Sequence, residues 1–310
     1  MPALERKLVL VTRKTRLEEL IARYQTLAQA AFHVEHLGGD FADYRDEHEC
    51  YLAARNTVLA VLTRHGRYQA VERSYLPNFL FAPDDIVLAL GQDGLVANTM
   101  KYLDGQPLVG LNPDKARYDG LLLPFAAEEL SSILPELLAD RRSCKTIRMA
   151  RAQLSDGQVL HAVNDLFIGP RTHTSARYEL SRGEVCETQS SSGVIVSTGL
   201  GSTAWIKSVV TGAMGVMLAP VKPDKRPPYK PLAWDAERLR FAVREPFPSK
   251  ATQAGLVYGE IAGQERLTLR SLMPENGVIF SDGVEADYLD FNAGMEASIG
   301  VAERVGQLVM

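Results

Sequence analysis

Ile86-Val87-Leu88-Ala89-Leu90 is an unbroken apolar run, entered through Pro83-Asp84-Asp85 and left through Gly91-Gln92-Asp93-Gly94. A run of this length between turn residues is the pattern of a strand buried on both faces, and such strands sit in parallel sheets covered by helices. The flanking sequence supplies the other parts. Leu8-Val9-Leu10-Val11 is a second short apolar run. Thr15, with Glu18 three residues later, forms a capping box, and Leu17, Leu20, Ile21, Tyr24 and Leu27 then recur at helical spacing. Residues 43–65 read as another helix, with Gly66 as its stop signal. Residues 68–71 and 107–111 are further strand candidates, and a helix is expected near 127–138. Strands alternating with helices predict an α/β domain.

The pattern then changes. Short alternating segments at 146–152, 159–167, 176–180 and 194–198, punctuated by Gly157, Gly169 and Gly183, predict a β-rich second domain. The chain therefore divides into 1–142 and 143–310, with the last residues free to pack back on the first domain. One helix interrupts the second part near Ser202, carrying Trp205, Ile206, Val209 and Val210. Residues 220–231 hold five prolines and four lysines or arginines and read as an extended surface loop. Strand-like segments return around Val278, Tyr288 and Ser298.

Composition narrows the function classes. At 310 residues, 46% hydrophobic and 23% charged, the chain can bury a large core without staples. A net charge of -4 carries no general nucleic-acid footprint. Cys50, Cys144 and Cys186 are odd in number and far apart, so neither a metal site nor a disulfide framework is expected, and a reducing, cytoplasmic setting fits best. The N-terminal residues show no signal-peptide pattern, and no stretch is apolar enough for a membrane helix. The six histidines lack zinc spacing; Arg171, His173 and Arg177 could meet phosphates, with solvated surface the default reading.

The chemistry concentrates at Gly91-Gln92-Asp93-Gly94-Leu95, where a buried strand ends and a helix is expected to begin near Leu95. Ligands of open α/β sheets bind at the carboxyl ends of strands, and glycines let backbone N–H groups approach a phosphate. A carboxylate there has two chemical tasks open to it: taking a proton from an attacking hydroxyl, or orienting Mg²⁺. It could equally be a turn residue or helix cap. Asn112 follows the next strand in Gly110-Leu111-Asn112-Pro113, which also suits a plain Asn-Pro turn. Asn164-Asp165 could grip the hydroxyls and base edge of a nucleoside, or simply cap a strand. In Ser192-Gly193-Val194-Ile195-Val196-Ser197-Thr198-Gly199-Leu200-Gly201-Ser202-Thr203-Ala204-Trp205, a strand leads through a glycine and hydroxyl turn into a helix, with Ser202 as the expected cap.

These stretches, in this order, resemble the NAD kinase family. Gly91, Asp93 and Gly94 match its Gly-Gly-Asp-Gly-Thr motif, and Asn164-Asp165 resembles its Asn-Glu pair. Gly193, Ser197, Thr198, Gly201, Ser202, Thr203 and Ala204 match its Asp-Gly-(apolar)₃-Ser-Thr-Pro-Thr-Gly-Ser-Thr-Ala-Tyr stretch in register. Arg244-Glu245-Pro246-Phe247 resembles a segment of mitochondrial-type relatives, and Phe280-Ser281-Asp282-Gly283 a late strand ending in Asp-Gly, for which a hairpin turn is the simpler account. The chain departs at Gln92, at Leu95, at Ser190-Ser191-Ser192 in place of an arginine and an aspartate, and at Trp205 in place of a tyrosine.

The resemblance implies an N-terminal Rossmann-like α/β domain, an all-β, sandwich-like C-terminal domain and an active site in the cleft between them. It implies transfer of the terminal phosphoryl of ATP, with Mg²⁺, to the 2′-hydroxyl of NAD or NADH, Asp93 acting as general base. Gly91, Gln92 and Gly94 are the implied donor-side residues, and Asn112 is implied as a further cofactor-binding residue. Asn164, Asp165, Thr198, Gly201, Ser202, Thr203, Ala204 and Trp205 are those implied for nucleotide binding. A homodimer or homotetramer that binds small nucleotides, with neither nucleic acid nor membrane as partner, is implied as well. The departures leave two alternatives: a kinase of another hydroxyl acceptor (a sugar, a lipid alcohol or another nucleotide), or a catalytically attenuated NAD(H) sensor.

Overall fold

A computed structural model describes residues 6–219 and 228–310. Most of the basic, proline-rich segment expected to be a loop, including Lys222, Lys225 and Arg226, lies outside the described residues, as do residues 1–5. The chain forms two compact units, one of residues 1–145 with 307–310 and one of residues 146–306.

The first unit opens with β1 (Leu8–Thr12), α1 (Arg16–Tyr24), α2 (Leu27–His36) and α3 (Phe41–His65). It continues through β2 (Tyr68–Glu72), β3 (Ile86–Leu90), α4 (Asp93–Met100), β4 (Pro107–Asn112), β5 (Phe125–Ala126) and α5 (Leu130–Leu138). The strands run parallel in the order β4-β3-β1-β2. Leu8, Leu10, Leu88, Leu90, Val109 and Leu111 are fully buried, as central parallel strands covered on both faces require. The order reverses direction between β1 and β3, and the loops after these two strands flank that switch point, the usual ligand position of an open α/β sheet.

Tyr24 and Leu27 do not share a helix. Gln25 takes a left-handed conformation (φ 70°) that ends α1, and Thr26 caps α2 by accepting the Gln29 N–H. Leu27 is consequently 51% exposed. α4 begins at Asp93, two positions before the expected Leu95.

The second unit contains β6 (Cys144–Leu154), β7 (Val159–Ala162), β8 (Asp165–Pro170), β9 (Ala176–Arg182), β10 (Val185–Ser191) and β11 (Val194–Ser197). After these come α6 (Trp205–Met217), β12 (Arg238–Val243), β13 (Tyr258–Ala262), β14 (Leu267–Ser271), β15 (Gly277–Ser281), β16 (Val284–Asp290) and β17 (Glu296–Val309). One antiparallel sheet has the order β13-β12-β11-β8-β15-β16; β10-β9-β14-β17, with β6 and β7, form the other layer. Leu166, Ile168, Val196 and Phe241 of the first layer and Ala152, Leu180, Leu269 and Ile299 of the second share one core. This is a sandwich. Side chains alternate along a strand, so Asp165, Phe167, Ser197 and Phe280 fall on the other face of the six-stranded sheet.

The single strand expected over 159–167 is two. β7 pairs with β6 in one layer and β8 with β11 and β15 in the other, and Val163-Asn164 is the corner between them. The last residues of β17 pair in parallel with β4, Gln307 opposite Pro107 and Leu308 opposite Leu108. Among the described residues, no helix is long and apolar enough to cross a membrane.

Candidate active site

At the end of β3 the chain turns through Gly91 and Gln92, and Asp93 occupies the first position of α4, where a negative charge meets the positive end of the helix dipole. Asp93 Oδ1 accepts the backbone N–H of Leu122 at 2.7 Å. Its Oδ2 has no partner among the described residues. Gln92 and Gly94 are exposed. The Gly91 N–H does not face outward as a phosphate donor: it donates to Leu111 O at 3.2 Å and extends the β3–β4 pairing. The backbone donors left open at this turn are those of Gln92, Asp93 and Gly94.

Leu122 is held in place from below. A Cβ on Gly110 would lie 1.9 Å from Leu122 O, so only glycine lets the loop lie on β4. Asn112 braces the same loop, accepting from Asp114 N–H at 2.9 Å and donating to Tyr118 O at 3.1 Å. It is 4% exposed, and its amide is engaged in the turn rather than presented to a ligand.

A polar cluster not anticipated from the sequence joins the carboxyl ends of β1 and β3. The Tyr51 hydroxyl donates to Leu90 O at 3.2 Å and accepts Arg13 N–H at 3.0 Å. Arg13 Nη2 pairs with the buried Glu47 carboxylate at 2.6 Å and donates to the Tyr118 hydroxyl at 3.0 Å. Burial pushes the Tyr51 phenol above its ordinary pKa. Arg13, Glu47, Tyr51 and Tyr118 are scattered over the sequence, and none sits in a motif.

In the second unit, Asn164 forms the corner between β7 and β8. The Asp282 carboxylate binds that corner, accepting Asn164 N–H at 2.6 Å and Val163 N–H at 3.1 Å, and Asp282 N–H donates to Asp165 O at 3.0 Å. Asp282 and Gly283 have φ of 54° and 71°, the left-handed pair of a type I′ hairpin, so the Asp-Gly turn and the corner are one construction. Burial, and secondarily the negative charge of Asp282, raise the Asp165 carboxyl to about 7. Asn164's amide has no partner among the described residues.

The hydroxyl turn packs on this corner. Thr198 donates to Val163 O at 2.5 Å and accepts Gly201 N–H at 3.1 Å, while Thr198 N–H donates to Asn164 O at 2.9 Å. A Cβ on Gly201 would stand 2.0 Å from Asn164 O, so the approach demands glycine. Ser202 is not the helix cap. Its hydroxyl donates to Gly199 O at 2.6 Å and accepts Leu232 N–H at 2.9 Å, and α6 starts at Trp205 after Ala204, with no side-chain cap. Thr203 and Ala204 are exposed. Asn164, Asp165, Thr198, Gly201 and Ser202 therefore form one connected corner. Thr198 and Ser202 serve its internal bonding, and Asn164 and Asp165 carry its open polar atoms.

On the outward face of the six-stranded sheet lies a cavity of about 310 Å³ lined by Phe167, Trp205, Phe280, Arg171, His173 and Arg244. Trp205 is parallel to Phe167, centroids 5.6 Å apart and 8° between planes, and Phe280 lies 4.9 Å from Phe167. Arg244 and Phe280 are far from Trp205 in sequence, and only sheet register brings them together.

No family model matches the chain. It is similar to the NAD kinase of Cupriavidus pinatubonensis, 29% identical over 153 residues (45% of this chain and 49% of that protein). It is also similar to the NAD kinase of Chlorobium phaeobacteroides, 28% identical over 141 residues (44% and 47%). The chain thus spans about half the length of the curated relatives it matches. Among solved structures, the yeast NADH kinase complexed with NADH superposes with a TM-score of 0.58 at 13% identity, over 98% of this chain and 83% of that one. The two share a fold, an α/β unit and a β-sandwich. In sequence over about half its length, and in fold over nearly all of it, the chain is similar to NAD and NADH kinases.

Proposed function

We propose that this protein is an ATP-dependent phosphotransferase that phosphorylates the 2′-hydroxyl of NAD or NADH. The observation that carries the reading is the Asp93 carboxylate: it stands at the carboxyl end of a buried parallel strand, one oxygen tied to Leu122 and the other open. In the proposed step the acceptor oxygen bonds to the terminal phosphorus of ATP, the bond from that phosphorus to ADP breaks, and the acceptor's proton passes to Asp93 Oδ2. The open N–H groups of Gln92 and Gly94 would face the donor phosphates. Asn164 and Asp165 would hold the acceptor nucleoside, with Thr203, Ala204 and Trp205 beside it.

Mg²⁺ would supply charge neutralisation on the donor.

A second reading, the same chemistry on another acceptor, is favoured by Ser191. Its hydroxyl is spent on the Tyr178 hydroxyl at 2.7 Å and on Gly193 N–H at 2.9 Å, so this segment offers a ligand no ionised group of its own. The purified protein, incubated with ATP and Mg²⁺ and with NAD, NADH, a hexose or diacylglycerol, separates the readings by ADP release and by NADP(H) formation. NADP(H) should form from the dinucleotides alone. ADP release with only the sugar or lipid would transfer the reading to the second acceptor class. Dinucleotide binding without any turnover would leave a sensor.

A further inference from the structure

The aromatic cavity of the second unit has the chemistry of a nucleotide-phosphate subsite, and we infer that it takes a planar base against its aromatic wall with a phosphate at Arg171 and Arg244. The inference deepens the nucleotide reading above, because Trp205 belongs to both.

The wall is built for a flat partner. Phe167 and Phe280 are paired across β8 and β15, and Trp205 enters from the start of α6. Phe167 lies over two glycines: a Cβ on Gly169 would meet its ring at 2.7 Å and one on Gly193 at 2.8 Å. Gly193 also has φ 106°, which L side chains rarely adopt. Both glycines thus leave the room in which the ring lies, and about 310 Å³ beside it matches the lower range of small-ligand cavities.

The polar rim is cationic. Arg171 is positioned by its backbone N–H, which donates to Asn276 O at 2.8 Å, and by stacking of its guanidinium 3.9 Å from the Tyr288 ring centroid. No carboxylate of the described residues pairs with it. Arg244 is anchored through Arg244 N–H to Gly193 O at 2.8 Å and Ser192 N–H to Arg244 O at 2.9 Å, and its guanidinium lies 5.5 Å from the Trp205 centroid. It makes a 3.6 Å contact with Glu245, whose φ of 40° is uncommon for a non-glycine residue. His173 and the Ser192 hydroxyl add donors, and so does one of the Thr172 and Thr174 hydroxyls, which bond each other at 3.2 Å. Several donors around two guanidinium groups suit a phosphate, with its many acceptor oxygens, better than a carboxylate. Glu285, the one acid in the lining, would accept from a sugar hydroxyl or an exocyclic amine.

AMP and adenosine share the ring and differ in the phosphate, so their affinities for the full-length protein, read by calorimetry, test the inference. AMP should bind about tenfold or more tightly than adenosine. Arg171→Gln with Arg244→Gln should bring that ratio to about one to three by weakening AMP alone. Trp205→Leu should weaken both ligands, and its melting curve shows whether the fold survives; if it does not, Phe280→Leu takes its place. Equal affinities of AMP and adenosine in the wild type would overturn the inference. So would inorganic phosphate displacing AMP as well as AMP itself does, because the ring wall would then contribute nothing. Failure is separable from failure of the kinase reading. NADP(H) formation with no preference for AMP removes only the subsite, and a preference for AMP with no NADP(H) formation removes only the reaction.

Discussion

The backbone N–H of Leu122 reaches Asp93 Oδ1 at 2.7 Å, so a side chain on the first turn of α4 fixes a loop that crosses β4. Asp93 therefore has a structural duty beside any chemical one, and the two can be separated. Asp93→Ala removes the acceptor and leaves the Leu122 N–H unpaired, which should lower stability by about 1–3 kcal/mol. Asp93→Asn keeps an oxygen in place and should lower it by less than about 1 kcal/mol. Urea denaturation of both variants checks this. Equal losses would mean that the tie to Leu122 contributes nothing.

Gly94 and Gly201 should respond oppositely to alanine. Nothing lies within 4 Å of a Cβ at Gly94, and the position is helical, so Gly94→Ala should stabilise by about 0.5–1 kcal/mol. If Gly94 gives a donor phosphate access to backbone, the same variant should bind ATP about tenfold or more weakly, the loss expected when a charged hydrogen bond is blocked. Gly201→Ala drives a methyl to 2.0 Å from Asn164 O and should cost about 3 kcal/mol. Thermal melts and ATP titration of the two variants give the comparison. Unchanged ATP affinity in Gly94→Ala would exclude the phosphate from that turn.

Gln92 is exposed and makes no cap bond, so Gln92→Gly should leave the fold intact. In a working site the change should hold phosphotransfer equal or lower it. A rise of about tenfold or more, equivalent to about 1.4 kcal/mol of barrier, would show that the glutamine attenuates the natural protein and would favour the sensor.

Asp165 gives a pH signature. Its carboxyl sits at about 7 in the folded protein through burial and the Asp282 charge, against about 3.9 for an unfolded aspartate. Between these values the folded state holds a proton that the unfolded state has released, so the contribution of this group to stability declines as pH rises through 7. Asp165→Asn cannot titrate. Its advantage over the wild type should therefore grow from pH 5 to pH 8, by about 1–3 kcal/mol. Parallel stability profiles for the two proteins over that range would show that Asp165 is ionised throughout.

Much of the fold could be read from local pattern, and the misreadings share a cause. β1, β3 and β4 announce themselves because strands buried on both faces are uniformly apolar. The break between α1 and α2 is hidden because Leu27 continues the spacing of Tyr24, while the stop lies in the left-handed backbone of Gln25, a residue with no special preference for it. The corner at Asn164 is hidden because its clamp, Asp282, is remote in sequence. Ser202 looks like a cap by type, yet Leu232 N–H takes its hydroxyl. At the candidate site the glycines and Asp93 stand in one short motif. Arg13, Glu47, Arg171 and Arg244 are ordinary charges until the sheets bring their neighbours to them.

Turnover of Asp93→Asn tests the central claim most directly. Asparagine retains the Leu122 acceptor and the helix position but cannot take the acceptor's proton. With ATP, Mg²⁺ and NAD or NADH, turnover should fall by about two to four orders of magnitude. Dinucleotide affinity and the melting temperature, measured on the same preparation, should stay close to those of the wild type. Near-normal turnover in this variant would contradict the account, because Asp93 would then be a brace for Leu122 and not the base.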